Sequence, residues 1–136
     1  MVGLAGCETD VDTDPVLPGE MALLVISFSP DPVYESSNGE FQFIVFIDEV
    51  NNVGATISLV ELETLDEDGG ILDEDDHDQD WVRRTFGSSY IEAYGRLVSS
   101  VTVQTYNGHR INWILRGTDD RGNSFKYTQS VELIHR

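Results

Sequence analysis

The sequence predicts an all-β fold class, a two-sheet antiparallel β-sandwich of about seven strands. Apolar and polar residues alternate in short segments separated by turn residues, which is the period of two expected of half-buried strands. No segment shows a helical period over about ten residues or more. Finally, the apolar pattern and the turn residues of segment 109–134 agree on a single hairpin register. These three observations together favour two packed sheets.

Segment 109–134 predicts a β-hairpin at the carboxyl end of the domain. If Leu115 lies opposite Tyr127, the odd-numbered residues of both strands face the same core. This register leaves residues 120–122 as a three-residue loop, in which Gly122 adopts the left-handed conformation of a bulge. The apolar pattern and the turn chemistry therefore predict the same structure.

Several strands are predicted before this hairpin. Segment 21–28 is a short apolar run ended by two nearby prolines, and residues 33–34 are expected to rejoin a sheet edge. Segment 41–47 alternates and has one fully apolar face. Segment 55–65 is long enough for a strand, but its apolar positions shift by one residue after Leu59, which predicts a bulge.

Segment 66–89 is predicted to be mostly a long acidic loop. A short strand is expected inside it, provided by either residues 71–72 or residues 81–82. A loop of this length in a compact domain is usually functional, is disordered, or contains a helix or strand that the sequence pattern does not reveal. Segment 90–98 is left unassigned, because Gly95 limits both a strand and a helix there.

Asn107 and Gly108 form the strongest two-residue hairpin signal in the sequence. A hairpin at this point would place the apolar residues of segment 101–105 on the face opposite to those of segment 111–115. The conflict disappears if the two segments belong to different sheets and the Asn-Gly pair crosses between them. The sequence therefore indicates a sandwich.

Residues 113–123 resemble the end of bacterial immunoglobulin-like and fibronectin-type-III-like domains. In those domains an aspartate, a short gap and a Gly-Asn pair join the last two strands, and Asp119, Gly122 and Asn123 match that pattern. The resemblance implies an immunoglobulin-like β-sandwich over residues 21–136. The paired cysteines of antibody domains are missing, so the resemblance implies no antibody-type recognition.

The chain is strongly acidic. Its 136 residues, enough for one domain, include 25 Asp and Glu against 8 Lys and Arg, a formal charge of −17. This charge repels nucleic acid phosphates, so we expect no nucleic acid partner. It attracts divalent cations and basic proteins, although acidity of this kind is more often a means of solvation.

The tetrapeptide at residues 4–7, Leu-Ala-Gly-Cys, resembles the lipobox of bacterial lipoproteins. The resemblance implies lipidation of Cys7, the only cysteine, and Glu8 after it implies sorting to the outer membrane. Residues 1–20 are interpreted as a lipobox remnant and a flexible acidic tether. The charged and apolar regions of a signal peptide do not precede Cys7, so either the start is trimmed or the cysteine is incidental. We expect that the start is trimmed and that Cys7 is the lipidated residue.

Catalytic motifs are not found. His77, His109 and His135 lie in the acidic segment, beside a turn and near the end of the sequence. The sequence contains no Gly-x-Ser-x-Gly, no His-Glu-x-x-His and no phosphate-binding glycine loop. We therefore expect a protein that is not an enzyme.

Calcium is the candidate cofactor, because hard divalent cations take six to eight oxygen ligands. The candidate metal ligands are Asp66, Asp68, Asp73, Asp75, Asp119 and Asp120. The spacing of segment 64–75 resembles an EF-hand loop, but Thr64 stands where the first aspartate belongs and no flanking helices are predicted. The alternatives are a solvated acidic loop and, for the last two aspartates, ordinary turn chemistry.

Aromatic residues form a second candidate site. The candidate ligand contacts are Trp81, Phe86, Tyr90 and Tyr94, whose flat rings could contact a sugar or a protein. The alternative is that they fill the core beneath the acidic segment. Trp113 is assigned to the core, whereas Ile44 and Phe46 are expected on the outer side of their strand, exposed unless a loop or a partner covers them.

The function expected from these features is that of a non-catalytic, lipid-anchored bacterial cell-envelope protein acting as a structural or protein-interaction module. One alternative is a calcium-dependent carbohydrate-binding module that uses residues 66–94. A second alternative is a subunit of a larger envelope assembly.

Overall fold

A computed structural model describes residues 17–136 of the chain. The predictions on Cys7 and on the tether before residue 17 lie outside the described residues. The elements in chain order are β1 (Leu24–Ser29), β2 (Val33–Tyr34), β3 (Phe41–Glu49), β4 (Ala55–Leu65), β5 (Ile71–Asp78), α1 (Gln79–Phe86), β6 (Tyr90–Ile91), β7 (Arg96–Val103), β8 (Arg110–Asp119) and β9 (Ser124–Ile134).

The strands form two sheets. The small sheet has the order β1-β3-β7, and the large sheet has the order β2-β9-β8-β4-β5, with β6 pairing β4. The pairs are antiparallel except that the short β2 runs parallel to β9. In the described part of the chain, seven strands have six residues or more. The prediction of an all-β, immunoglobulin-like two-sheet sandwich is confirmed.

The predicted carboxyl-terminal hairpin is confirmed in register and in turn. Leu115 lies opposite Tyr127 across β8 and β9. The amide of Asp119 donates to the carbonyl of Asn123, and between them Gly122 has a φ of +86°. A residue with a Cβ is strained in that left-handed conformation, which explains the glycine.

The predicted bulge in β4 is also confirmed. The pairing of β4 with β8 shifts between Ile57 and Leu59. Opposite this bulge, a Cβ on Gly117 would lie 1.9 Å from the carbonyl oxygen of Thr56 and 2.8 Å from the Phe125 ring. Only glycine therefore fits where β8 passes the bulge.

The crossover at Asn107 and Gly108 is confirmed, because β7 belongs to the small sheet and β8 to the large one. Residues 33–34 rejoin an edge as predicted, since β2 pairs with β9. The segment left unassigned, 90–98, contains β6 and the start of β7.

The prediction for segment 66–89 is wrong in most of its length. Residues 71–72 begin an eight-residue strand, β5, and Trp81 and Val82 lie in α1 rather than in a strand. Nearly every β5 residue is exposed, so no apolar alternation marks the strand, and its backbone ladder with β4 holds it in place. Asp78 caps α1 by accepting from the Trp81 amide.

The core fills the space between the sheets. Its largest fully buried side chains include Trp113, Phe41, Ile47, Ile57 and Leu115, which confirms the core assignment of Trp113. The small sheet leaves part of the large sheet uncovered on the side of β5 and β7. Helix α1 packs against β4, β5 and β7 there and buries Val82 and Phe86.

Candidate functional site

The predicted calcium ligands do not form one cluster. Asp66 closes the β4–β5 turn, where its Oδ1 accepts from the amides of Asp68 and Gly70 at 2.9 and 2.7 Å. Asp73 and Asp75 follow along β5. The segment compared with an EF-hand is therefore a β-hairpin. Among residues 17–136, no group of three or more His, Cys, Asp or Glu side chains is arranged to hold a metal ion, and calcium binding stays a prediction.

Asp119 is a buried carboxylate that organises one end of the sandwich, with only 7% of the residue exposed. Its Oδ1 accepts from the amides of Arg121 and Asn123, each at 2.9 Å. Its Oδ2 accepts from the amide of Ala22 at 2.9 Å and from Nδ2 of Asn123 at 3.1 Å. Asp119 therefore ties the β8–β9 turn to the chain that enters β1.

Glu49 is a second buried carboxylate at the same end. Oε1 accepts from the amides of Tyr94 and Val53 at 2.9 and 3.2 Å, and Oε2 accepts from the amides of Asn51 and Leu23 at 2.8 and 3.2 Å. We call Glu49 and Asp119 the carboxylate cap. Asp119 joins the β8–β9 turn to the segment before β1, and Glu49 joins the turn after β3 to the segments that enter β1 and β7.

Hydrogen bonding sets the charge state of the carboxylate cap. Burial acts to raise the pKa of Glu49, but its four backbone donors together lower that pKa below the ordinary value. The pKa of Asp119 is lowered in the same way, with its donors outweighing the effect of burial. Both groups are therefore anions in the folded protein at neutral pH.

Glu49 is not among the site residues predicted from the sequence, although the pattern of β3 marks it. On β3 the buried positions are Phe41, Phe43, Val45 and Ile47. The period of two then places Glu49 on the core side as well, and it is 2% exposed. A carboxylate at a core position needs hydrogen-bond donors, and the turn after β3 supplies two of them, the amides of Asn51 and Val53.

The four predicted aromatic contacts do not form one platform. Phe86 is buried, and Trp81 is half-buried with its ring stacked on His77 at a centroid distance of 4.1 Å. Tyr90 and Tyr94 are 40% and 66% exposed. The Tyr90 hydroxyl donates to Oδ2 of Asp120 at 2.5 Å, and this hydrogen bond raises the pKa of Tyr90.

Two histidines lie at the end of the sandwich opposite the carboxylate cap. The rings of His109 and His135 are 5.0 Å apart. Nε2 of His135 lies 2.6 Å from the carbonyl oxygen of Gly108, and its Nδ1 lies 3.8 Å from Oε1 of Glu35. The side chain therefore ties the last residues of the chain to the crossover loop and to the segment after β2.

The outer face of the small sheet is partly apolar, as expected for Ile44 and Phe46. Ile44 is 37% exposed. Phe46 is partly covered by the guanidinium of Arg96, which lies 4.7 Å from the ring centroid and pairs with Asp48. A neighbouring side chain thus covers part of this face.

A groove of about 410 Å³ lies between β5 and β7, on the side where the small sheet stops. Leu62 and Ile111 lie along its floor, and Asp73 and Asp75 lie on the β5 side. Residues 102–105 lie on the β7 side. We call this the edge groove. Its volume is within the usual range of binding pockets.

Asp73 and Asp75 are on the core side of β5, not on its outer side. They lie opposite Thr64 and Leu62 of β4, and Leu62 in turn lies opposite the buried Trp113. Residues directly opposite each other share a face of a sheet. The two exposed carboxylates therefore line the edge groove from the same side as the core.

Comparisons with known proteins identify the fold only. No family model matches the chain, and no curated protein matches it. The structure of the putative ApaA protein from Bordetella pertussis is similar with a TM-score of 0.51 at 16% identity, over 88% of this chain and 98% of that one. The structural-genomics target SoR45 has a TM-score of 0.51 at 13% identity, over 87% and 90%. The CARDB domain of the PF1109 protein from Pyrococcus furiosus, in complex with di-metal ions, has a TM-score of 0.49 at 16% identity, over 93% and 100%.

The similarity to the first two structures supports the shared β-sandwich and says nothing about function. Among the residues that the structure describes, no helix is long and apolar enough to span a membrane.

Proposed function

We propose that this chain is a non-catalytic module of the bacterial cell envelope, tethered to the outer membrane through Cys7, that binds a partner protein. The sandwich fold is compatible with this role, because such domains serve as rigid supports for binding surfaces. Function resides in specific sites rather than in the fold.

The hydrogen bonds of the two buried carboxylates support the proposal that the module is not catalytic. Catalysis by a carboxylate requires an oxygen that can reach a substrate. All four carboxylate oxygens of Glu49 and Asp119 instead accept hydrogen bonds from the protein itself. These groups therefore serve the fold.

The position of residue 17 supports a tether at this end of the domain. Nδ2 of Asn51 donates to the carbonyl oxygens of Leu17 and Met21 at 2.9 and 2.8 Å. The chain is thereby fixed beside the carboxylate cap. A lipid on Cys7 would place this end nearest the membrane and leave both sheets accessible from the side.

Mass spectrometry of the full-length protein expressed in its native host tests the anchor. We expect a diacylglyceryl adduct on Cys7 and recovery of the protein with the membrane fraction. The control variant Cys7→Ser, which changes one sulfur to oxygen, should lack the adduct and leave that fraction. An unmodified thiol on wild-type protein would refute the anchored function.

A further inference from the structure

We propose that the edge groove binds a basic, extended segment of a partner protein, which adds to β7 as a fourth strand of the small sheet. This inference rests on the proposed function as an interaction module and gives that module a site and a partner chemistry.

Among strands of six residues or more, the small sheet has three and the large sheet has four. Val101 and Val103 of β7 face inward, opposite Phe43 and Phe41 of β3, yet both remain half exposed. Leu62 of β4 is also only partly buried. Core-facing apolar side chains that stay in contact with water indicate a position that another chain can cover.

Helix α1 closes only part of this side. It follows β5 directly after Asp78, whereas the edge groove lies toward the other end of that strand, beside Asp73. The groove runs along residues 102–105. A strand of four residues beside residues 102–105 would be roughly 13 Å long at about 3.3 Å per residue.

The free edge of β7 provides the backbone contacts. In the described part of the chain, β7 pairs only with β3, so every second residue of β7 directs its amide and carbonyl groups away from the sheet. An added strand pairs with such groups, and pockets for its alternate side chains provide specificity. We expect antiparallel pairing, as in the rest of the small sheet.

The charge of the groove determines the kind of strand. Asp73 and Asp75 make no ion pair within residues 17–136. Unpaired carboxylates beside the added strand repel an acidic segment and attract Lys or Arg. The amino-terminal residues of this chain are a poor fit, because residues 8–14 carry four acidic and no basic side chains.

The partner segment is therefore expected to alternate. Apolar side chains that face the groove would contact Leu62 and Ile111, and basic side chains on the same face would reach Asp73 and Asp75. The residues between them would face solvent beside Ser100 and Thr102, which are exposed on the outer side of β7.

A synthetic peptide tests this directly. The probe is eight residues long, Thr-Leu-Thr-Lys repeated twice, and the control peptide has Glu in place of each Lys. The full 136-residue chain, labelled with ¹⁵N, is titrated with each peptide up to about 1 mM. We expect saturable shifts of the amides of residues 100–105 and of β5 with the lysine peptide and no shifts with the glutamate peptide.

Paired charge reversals on β5 provide the matched variants. The double variant Asp73→Lys, Asp75→Lys reverses the charge on the groove side of β5. The double variant Glu74→Lys, Asp76→Lys makes the same change in net charge on its outer side. The first pair should weaken lysine-peptide binding at least about tenfold, and the second by no more than about threefold. Equal losses would mean unspecific attraction and would overturn the proposal.

Two other outcomes would also overturn it. One is that the lysine peptide causes no shifts, or shifts only on the outer faces of the sheets. The other is that a nitroxide attached to Cys7 broadens the groove amides in the absence of peptide, which would assign the groove to the chain's own amino-terminal residues. None of these results depends on lipidation, so a failure here is distinct from the absence of an adduct on Cys7.

Discussion

Replacing Asp119 by Asn tests the carboxylate cap with almost no change in side-chain volume. One oxygen that accepts two hydrogen bonds becomes an amide that can only donate. If Oδ2 is the oxygen replaced, the buried Ala22 amide loses its acceptor, and Nδ2 of Asn123 keeps only the carbonyl oxygen of Glu20. Buried donors left without a partner cost about 1–3 kcal/mol each. We expect Asp119→Asn to lower the free energy of unfolding by about 2–4 kcal/mol, a large part of a typical total.

Urea unfolding followed by tryptophan fluorescence measures this loss, provided that the slope with denaturant is unchanged. Asp120→Asn is the matched control, since Asp120 is exposed and adjacent in sequence. It should change the free energy of unfolding by no more than about 0.5 kcal/mol. A loss below about 0.5 kcal/mol for Asp119→Asn, or equal losses for the two variants, would refute the structural role of the cap.

The lowered pKa of Asp119 also predicts that the effect of Asp119→Asn on the free energy of unfolding depends on pH. Because the pKa of Asp119 is lowered in the folded state, the unfolded chain binds more protons near the ordinary pKa of aspartate. The stability that the group provides is present above that ordinary pKa and is lost as the pH falls through the folded pKa. The difference between wild type and Asp119→Asn should therefore shrink in acid. Protonation of the other carboxylates changes the stability of both proteins alike, so it cancels in this difference. A difference that stays constant down to about pH 2 would contradict a lowered pKa of Asp119.

Substitutions at three positions have defined outcomes. Gly117→Ala should cost about 3 kcal/mol or more in urea unfolding, because its Cβ would meet the Thr56 carbonyl oxygen at 1.9 Å; a loss below 1 kcal/mol would contradict the tight fit. Gly122→Ala should cost about 1 kcal/mol through backbone strain alone, since nothing lies within 4 Å of the added Cβ, and Gly122→Asn should cost less. Asp120→Asn should lower the pKa of Tyr90 toward its ordinary value, measured by ring ¹³C shifts; an unchanged pKa would mean that the hydrogen bond does not form in solution.

The sandwich was predictable because two independent constraints met in the same residues. In the last hairpin, the apolar period and the three-residue loop ending at Gly122 require one register, and that register is observed. At Asn107 the turn residues predict a hairpin, whereas the apolar pattern of the two flanking strands predicts a crossover between sheets. The apolar pattern is the stronger constraint, because a slip of one residue would turn a whole strand away from the core.

Strand β5 was not predictable from its own residues. Apolar alternation reports burial rather than strand formation, and β5 lies at an edge with almost all of its side chains in water. Its strand conformation comes from the pairing with β4, which the sequence of β5 does not encode. Helix α1 was missed for a different reason, because at eight residues it is shorter than the period analysis can detect. Because β5 forms one side of the edge groove, the groove could not be predicted from the sequence either.

The distribution of charge over the large sheet connects its stability to its proposed role. On the outer side of β4 and β5, Glu61 lies opposite Asp76 and Glu63 lies opposite Glu74. Like charges directly opposite each other destabilise a sheet, and in the described residues the partners on this side are Arg116, which pairs with Glu61, and Asn112, whose Nδ2 donates to Glu63. With repulsion on its outer side and unpaired carboxylates on its inner side, β5 is expected to be the long strand that opens most easily. A basic strand in the edge groove would reduce the inner repulsion, so binding and the ordering of this edge should reinforce each other.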